Sequence, residues 1–315
     1  MKVYHGPEQF QKLSCAVVTS GTFDGVHIGH QKILSRLREI ADAEGGETVL
    51  ITYWPHPRLV LHPEQHDLQL LSTIDEKIRL LEKYGVDHLL IMPFTKEFSQ
   101  LTSEQFIRRI LVDTIGTRKL VIGYDHRFGR NREGSFEHLK EFAPTYGFTV
   151  EEIPRQEIDD VGISSTKIRH ALQEGNVHIA NEFLGEPYTL TGEVVPGDQR
   201  GRQIDFPTAN LYIPEKYKLI PANGVYAVRV QKWVAEPTPY PWGGMMNIGL
   251  RPTVASAASE RRIEVHLFDF HEELYGQRLV VGVVDLIRFE QKFESLASLR
   301  DQLVKDETAA RRLLA

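Results

Sequence analysis

The stretch CAVVTSGTFDGVHIGH, residues 15–30, joins an apolar run to a glycine-containing turn and then to a helical pattern. The run at 15–20 predicts a buried β-strand, because it is short, rich in valine and bounded by Gly21. From Gly29 to Glu44, apolar residues recur at helical spacing, which predicts a helix that ends at the two glycines that follow. A strand that leads through a turn into a helix predicts an α/β domain with its binding site at the turn.

The alternation of strands and helices continues as far as residue 184. Further strands are predicted at 48–54, 87–92, 119–123 and 148–153, and the helices between them include two opened by capping boxes at Thr73 and Thr102. Such alternation predicts a doubly wound parallel sheet whose ligands lie at the carboxyl ends of the strands.

The second part of the chain has a different pattern. β-like runs at 188–195, 224–230, 245–249, 262–270 and 279–289 are separated by turns containing glycine or proline, and a final helix begins at Ser295. This series predicts a small antiparallel β-barrel with a C-terminal helix. Eleven of the 13 histidines precede Gly185 and nine of the 16 prolines follow it, which places the domain boundary there. We therefore expect an α/β domain at 1–185 and a barrel domain at 186–315.

Composition and charge narrow the classes of function. The chain has 315 residues and a formal charge of −6, a balance opposite to that of a general nucleic-acid or anionic-membrane binder. The single cysteine, Cys15, excludes an intramolecular disulfide and suits a reducing cytoplasm. The sequence has no apolar stretch of the roughly 18 residues that a membrane span needs. We expect a cytoplasmic protein with small-molecule substrates and no nucleic-acid or membrane partner. Oligomerisation is possible but not required.

His27 and His30 lie at the predicted start of the first helix, where backbone N–H groups and the helix dipole favour anions. Gly29 leaves room for a phosphate to approach the backbone between them. Two imidazoles at this point can donate to a triphosphate and stabilise the charge that develops on its α-phosphate. The alternatives are an ordinary strand–helix turn with two surface histidines, or an adventitious zinc pair.

Three further segments add groups suited to a nucleotide. ISSTKIR, residues 163–169, offers hydroxyls at a helix start and basic side chains one turn later for bridging phosphates. GYDHRFG, residues 123–129, follows a strand and can contact a nucleobase or ribose. WPHP, residues 54–57, forms a rigid turn suited to a flat ring. Each segment alone is a weak signal, since a Ser-Ser-Thr sequence is often only a helix cap.

A second candidate site lies in the barrel sequence. The chain contains no GxxxxGK[ST] motif, but the glycine-flanked stretch 197–202 carries Arg200 and Arg202, which can bind phosphates. Thr208 and Asn210 alternate along an extended segment, so both oxygens point the same way and suit Mg²⁺ held with a nucleotide. The alternative is a β-turn followed by a solvent-facing strand.

Glu264 is a candidate general base. In the strand at 262–270 it shares one face with His266 and two phenylalanines, which is unlike a plain solvated face. Its carboxylate can accept a proton from a substrate hydroxyl. The alternative is a cross-strand ion pair with Arg261 or Arg288.

Taken in order, these motifs resemble those of the prokaryotic bifunctional riboflavin kinase/FAD synthetases. The first half matches in GxFDGVHxGH, PHP, GxDxxFG and ISSTxxR, of which HxGH alone would indicate only the wider nucleotidyltransferase superfamily. The second half matches in GDxxGR, FPTAN, GVYAV, NIGxRPT, EVHLFDF and LYG. The resemblance covers essentially the whole chain.

The resemblance implies a Rossmann-like FMN adenylyltransferase domain followed by a riboflavin kinase barrel. The substrates are then ATP, riboflavin and FMN, the product flavins are FMN and FAD, and Mg²⁺ binds with ATP. The implied catalytic groups are His27, His30 and Glu264, of which Glu264 activates the riboflavin 5′-hydroxyl. The implied ATP contacts are Gly21, Phe23, Asp24, Gly29, Gly123, Asp125, Ser164, Ser165, Thr166 and Arg169 in the first domain, and Gly197, Asp198, Gly201, Arg202, Thr208 and Asn210 in the barrel. Thr208 and Asn210 are also the implied metal ligands, and Pro55, His56, Pro57, Phe128, Arg251 and the segment 272–275 are implied at the flavin.

Four positions depart from the family pattern. Pro196 and Gln199 stand where histidine and lysine are usual in HGDKRGR, Asp205 replaces the glycine before FPTAN, and His126 replaces a common phenylalanine. The first two bear on the rigidity and charge of the phosphate loop, and His126 bears on packing against the flavin or base. None of them removes an expected ligand or base.

Three other functions stay open on the sequence. One is a nucleotidyltransferase for another phosphorylated small molecule, with the barrel as a specificity domain. The second is a relative with a single activity, in which one module is silent. The third is a flavin- or nucleotide-binding regulator, against which the intact histidine pair and Glu264 argue.

Overall fold

The protein is described by a computed structural model at residues 1–64, 68–124, 126–154, 162–197, 201, 204–234, 239–251 and 260–315, apart from the side chains of 251 and 260. The chain divides into two compact units, Met1–Leu68 with Lys77–Ser164 and Gln69–Glu76 with Ser165–Ala315. None of the helices in those ranges is long and apolar enough to cross a membrane.

A six-stranded parallel sheet forms the centre of the first unit. Its strands are β1 (Lys2–His5), β2 (Ala16–Ser20), β3 (Glu47–Trp54), β4 (His88–Pro93), β5 (Thr117–Gly123) and β6 (Thr149–Ile153), in the order β1-β4-β3-β2-β5-β6. Every residue of β2 is buried, in accordance with the apolar residues Ala16, Val17 and Val18 that begin it. The predicted parallel α/β sheet is confirmed.

Helices follow the strands as the alternation predicts. They are α1 (Ile28–Glu44), α2 (Pro57–Leu61), α3 (Ile74–Lys83), α4 (Ser103–Phe106, continued by a π-helix over Ile107–Ile115) and α5 (Phe136–Tyr146). Both predicted capping boxes form, Thr73 with Glu76 and Thr102 with Gln105. The sequence did not predict the π-helix, the short α2 or the four-residue edge strand β1.

The order of the strands places the first candidate site. The chain runs from β2 to one side of the sheet through β3 and β4, and to the other side through β5 and β6. The loops that follow β2 and β5 therefore meet at the point where the strand order reverses, which is where ligands bind in sheets of this type.

The second unit contains a closed antiparallel barrel, as predicted. Its strands are β7 (Tyr188–Val195), β8 (Ala209–Tyr212), β9 (Gly224–Lys232), β10 (Trp242–Arg251), β11 (Glu260–Leu267) and β12 (Arg278–Phe289), in the closed order β10-β11-β8-β7-β12-β9. The helices α6 (Ser165–Gln173) and α7 (Val177–Leu184) precede the barrel, and α8 (Leu296–Leu314) follows it.

Buried contacts join residues 69–76 to the rest of the second unit. Leu70 forms a parallel bridge with Lys218, and Lys218 Nζ forms a buried ion pair with Glu76 Oε2 at 2.7 Å. The carbonyl oxygen of Gln69 accepts a 2.7 Å hydrogen bond from Arg169 Nε. Loss of either Lys218 or Glu76 would leave an uncompensated buried charge, so each of these two residues requires the other.

Candidate functional site

The loop between β2 and α1 has an unusual backbone. Phe23, Gly25 and Val26 have φ angles of 45°, 76° and 42°, and holding a non-glycine residue in the left-handed region costs about 1 kcal/mol or more. Such turns direct successive backbone N–H groups toward a common concave surface that binds anions. Because α1 begins directly after this loop, at Ile28, the free N–H groups of its first turn lie beside it.

His27 and His30 stack on each other at this helix start. Their ring centroids are 3.8 Å apart with an interplanar angle of 16°, and Phe23 packs against His30 at 4.6 Å. Burial, together with the charges of His27 and Lys77, lowers the pKa of His30 well below its ordinary value. His30 is therefore neutral at pH 7, and it can donate a hydrogen bond to a phosphate through only one ring nitrogen.

Lys77 is a residue of this site that the sequence reasoning missed. It lies on α3, is 4% exposed, and its Nζ donates a 2.7 Å hydrogen bond to the carbonyl oxygen of Thr22. Burial lowers the pKa of Lys77 to about 8, although the carboxylate of Asp24 acts in the opposite direction. The spacing of Lys77 could have identified it, because it precedes the buried Leu81 by four residues and so lies on the same face of the helix.

His126 joins the loop after β5 to the end of β2. Its Nε2 lies 3.3 Å from Ser20 Oγ, and its ring stacks on Phe128 with centroids 5.8 Å apart. Burial and the charge of Arg132 lower the pKa of His126 to about 4, so the ring is neutral at pH 7. The departure from phenylalanine therefore adds a hydrogen bond that ties the two loops of the site together.

The other predicted residues of the first site are placed as follows. Gly21 and Asp24 belong to the loop after β2, Gly29 lies in the first turn of α1, and Gly123 ends β5, while Asp125 lies outside the described residues. Phe128 is buried against Phe106 in the core of the unit. Its contact with a flavin stays a prediction.

The PHP turn follows β3. His56 is buried, and its Nδ1 accepts a 3.2 Å hydrogen bond from the backbone N–H of Arg58, which caps α2. Pro57 is the first residue of that helix, a position that proline favours, and Pro55 precedes the capping residue. Flavin binding by this turn stays a prediction.

The predicted phosphate-binding residues of the ISSTKIR segment fall in both units. Ser164 is the last residue of the first unit, whereas Ser165, Thr166 and Arg169 lie on α6 in the second. Arg169 Nε donates a hydrogen bond to the carbonyl oxygen of Gln69. Their placement at a phosphate bound by the histidine pair stays a prediction.

A cavity of about 430 Å³ in the second unit is lined by four of the predicted kinase residues, Gly201, Thr208, Asn210 and Glu264. Its polar lining includes Gly201, Thr208, Asn210, Asn247, Arg262, Glu264 and His266, and its apolar lining includes Phe206, Val225, Met245, Phe293, Leu296, Leu299 and Leu303. A cavity of this volume, with a few polar groups beside an apolar wall, suits a flat ring that carries a polar tail.

Glu264 occupies the middle of a row of three polar residues. It pairs with Asn210 on β8 and with Asn247 on β10. Because residues paired across strands project from the same face, all three side chains line the cavity together. Asn247 belongs to the NIGxRPT motif, but the sequence alone did not single it out.

The arginines considered as partners of Glu264 have other partners, although Arg288 also lines the cavity. Arg261 Nη1 donates to the carbonyl oxygen of Ile220 at 2.8 Å, and Arg288 forms a 2.7 Å ion pair with Asp306 on α8. Glu264 is therefore part of the cavity lining.

The glycines of the barrel's phosphate loop are sterically required. A Cβ on Gly197 would overlap the side-chain amide of Asn210, and a Cβ on Gly201 would overlap the carbonyl oxygen of Phe206. Gly197 therefore lies directly against the proposed metal ligand Asn210. Asp198, Gln199, Arg200 and Arg202, together with the side chain of Arg251, lie outside the described residues.

Asp205 shows why the family has glycine before FPTAN. Its φ is 65°, a left-handed conformation that glycine adopts freely and that aspartate tolerates better than most residues. The same turn is preserved here with an aspartate, whose carboxylate lies 3.2 Å from Arg300 Nη2 on the surface.

Comparison with known proteins defines the class of enzyme. The family model for FAD synthetase matches residues 9–167, and the model for riboflavin kinase matches residues 184–314. The fold and these matches define a two-domain transferase with one domain of each kind. The chain belongs to the family of bifunctional riboflavin kinase/FMN adenylyltransferases, which confirms the family predicted from the motifs.

Curated relatives match along nearly the whole chain. The bifunctional riboflavin kinase/FMN adenylyltransferase of Escherichia coli K12 is 38% identical over 307 residues, which cover 98% of this chain and 95% of that protein. The protein of the same name from Bacillus subtilis 168 is 36% identical over 298 residues, which cover 94% of this chain and 91% of that one.

A solved structure has the same fold. The crystal structure described as the macrolide-efflux protein of Streptococcus pneumoniae superposes with a TM-score of 0.87 and 32% identity over 99% of both chains. Its description names efflux, whereas both matched family models name flavin chemistry. The family of this chain follows from those models and the curated relatives, and the efflux activity is not transferred to it.

Proposed function

We propose that this chain makes FMN and then FAD at two separate sites. The residues at 186–315 transfer the γ-phosphoryl group of ATP to riboflavin, and the residues at 1–185 join the resulting FMN to the AMP moiety of a second ATP. The observation that carries this proposal is that two chemically different sites, the histidine pair and the Glu264 row, belong to different units.

In the barrel, Glu264 accepts the proton of the riboflavin 5′-hydroxyl as that oxygen attacks the γ-phosphorus. The bond from the γ-phosphorus to the bridging oxygen breaks, and ADP leaves. The apolar lining of the cavity accommodates the isoalloxazine ring, and Arg251 and the segment 272–275 are proposed near it. Gly197, Asp198, Gly201 and Arg202 are proposed at the phosphates of ATP.

Thr208 and Asn210 fit a magnesium ion carried by ATP. Both line the cavity, both offer hard oxygen ligands, and Gly197 approaches Asn210 closely. When bound, Mg²⁺ neutralises phosphate charge. The chain's own contribution is to place Asn210 directly opposite Glu264 across the strands, with Thr208 two residues earlier in the same cavity lining.

In the first unit, a phosphate oxygen of FMN attacks the α-phosphorus of ATP, and pyrophosphate leaves. Because FMN already carries an ionised phosphate, this step needs no strong general base. His27, His30 and the N–H groups of the loop around Phe23 stabilise the charge that develops on the α-phosphate. The hydroxyls of residues 164–166 and Arg169 are proposed at the leaving pyrophosphate.

We also propose a cytoplasmic location, with riboflavin, FMN and ATP as the partners and no nucleic acid or membrane. The single cysteine and the net charge of −6 support this. The basic groups proposed at phosphates are local exceptions to the acidic balance of the chain.

Incubation of the protein with riboflavin, ATP and magnesium, followed by chromatography, tests the proposal. We expect FMN to appear first and FAD to follow. Accumulation of FMN alone would show a silent first unit. No conversion of riboflavin or of added FMN would instead favour a nucleotidyltransferase for another phosphorylated molecule.

A further inference from the structure

Lys77 is a buried lysine whose ammonium group contacts the loop before the histidine pair. Its Nζ donates to the carbonyl oxygen of Thr22 at 2.7 Å, and Thr52 Oγ1 donates to the same oxygen at 3.3 Å. Both donor residues are buried. Since burying a charge is unfavourable unless it is compensated, a lysine at this depth indicates more than packing.

The loop requires contacts of this kind. Phe23 and Val26 hold left-handed φ angles although neither is glycine, and such a backbone persists only where surrounding contacts fix it. Thr22 directly precedes this run, so the hydrogen bond from Lys77 fixes the peptide at which the run begins. Asp24 lies within the run, and its carboxylate favours the charged form of Lys77.

Lys77 also acts on the histidine pair. Its charge is among the causes that lower the pKa of His30, after burial and the charge of His27. His30 Nδ1 is buried, and within the described ranges of the chain it has no hydrogen-bond partner. A cation beside a buried imidazole opposes a second positive charge, so Lys77 adds to the larger effect of burial on His30.

We propose that Lys77 is a positioning residue for adenylyl transfer, which holds the 22–26 loop in its N–H-presenting conformation. This inference rests on the function proposed for the first unit. If Lys77 served only to fill the space beneath the loop, its replacement would change stability and leave the reaction unchanged.

The test compares three variants of the full-length chain. Lys77→Met removes the charge, Lys77→Arg keeps it, and Lys83→Met is the matched control, because Lys83 is an exposed lysine at the end of the same helix. We expect Lys77→Met to lower kcat for FAD formation from FMN by about 100-fold, the loss typical of a misplaced catalytic group. KM for ATP changes much less, Lys77→Arg retains more activity than Lys77→Met, and Lys83→Met matches the wild type.

The pH profile separates positioning from packing. In the wild type, kcat for FAD formation falls as the pH rises through about 8, where Lys77 loses its charge. In Lys77→Arg that fall moves to higher pH, because arginine stays protonated. The titratable groups that interact with Lys77 are Asp24 and His30, and both are the same in both proteins.

Either of two results overturns the proposal: wild-type kcat in Lys77→Met, or the same alkaline fall in Lys77→Arg as in the wild type. If thermal denaturation shows that Lys77→Met is unfolded, the Lys77→Arg profile decides. Absence of FAD formation by the wild type would overturn the proposed function instead, so the two failures are distinguishable.

Discussion

Glu264 and Asn210 are paired across the antiparallel strands β11 and β8, and both side chains line the barrel cavity. Side chains alternate between the faces of a strand, so a shift of one residue in this register would turn both groups away from the cavity. The four-residue β8 is also paired with β7 on its other side. Pairing on both sides therefore fixes the separation of the proposed base and the proposed metal ligand.

Glu264→Gln should stop FMN formation and spare FAD formation. Glutamine keeps the size of the side chain but cannot accept the proton of the 5′-hydroxyl. We expect the rate of FMN formation to fall by about 100-fold or more, while the rate of FAD formation from supplied FMN stays within error of the wild type. Initial rates from chromatography measure both, and an unchanged rate of FMN formation would remove Glu264 from the role of base.

Thr208→Ala should raise the magnesium requirement of FMN formation. Loss of one proposed oxygen ligand is expected to raise the Mg²⁺ concentration for half-maximal rate by about 10-fold. Thr208→Ser keeps a hydroxyl at the same position and serves as the matched control. Magnesium titrations at fixed ATP measure the effect. The same magnesium dependence in all three proteins would show that Thr208 is not a ligand.

Substitutions of Asp205 test whether the turn before FPTAN requires a left-handed backbone conformation. Asp205→Ala should lower the free energy of unfolding by about 1 kcal/mol, because alanine is strained at a φ of 65°. Asp205→Gly should show no such loss, since glycine accepts this conformation freely. Denaturant titrations compare the three proteins. Equal stability of the alanine and glycine variants would contradict the conformational explanation.

His126 makes the first unit sensitive to acid. Its pKa is lowered from 6.5 to about 4 in the folded chain, so below pH 6.5 the unfolded chain binds the proton more readily than the folded one. Stability is therefore lost as the pH falls from about 6.5 toward 4, by about 2 kcal/mol at pH 5 for this group alone. His126→Phe removes this loss.

Thermal denaturation of both proteins at pH 7 and pH 5 measures the difference. His30 contributes acid sensitivity of the same sign, but it is present in both proteins and cancels in the comparison. The same drop between the two pH values in His126→Phe and the wild type would contradict a buried neutral His126.

The fold was predictable wherever its signals are local. The β2–loop–α1 segment and both capping boxes lie within short stretches of sequence, and each was predicted at nearly its observed position. In contrast, β1 was missed because four residues carry little pattern, and it becomes a strand only by pairing with β4. β8 appeared in the sequence only as an extended segment for the same reason.

The residues of the candidate sites also divide into those with a local sequence signal and those that depend on tertiary contacts. Residues in contiguous motifs, such as His27, His30 and Glu264, could be selected by their chemistry. Lys77 could not, because it reaches Thr22 across 55 positions of sequence through the packing of α3. Asn247 joins Glu264 only through the register of the barrel. Residue types can be read from a sequence, whereas the distances between them depend on tertiary pairing.

We propose two separable sites that catalyse consecutive reactions. The most direct measurement supplies riboflavin, ATP and magnesium to His30→Ala, to Glu264→Gln and to a mixture of the two, and follows FMN and FAD by chromatography. We predict FMN but no FAD with His30→Ala, neither product with Glu264→Gln, and FAD from the mixture, because FMN made by one variant is the substrate of the other. Absence of FMN with His30→Ala, or absence of FAD from the mixture, would contradict the proposal.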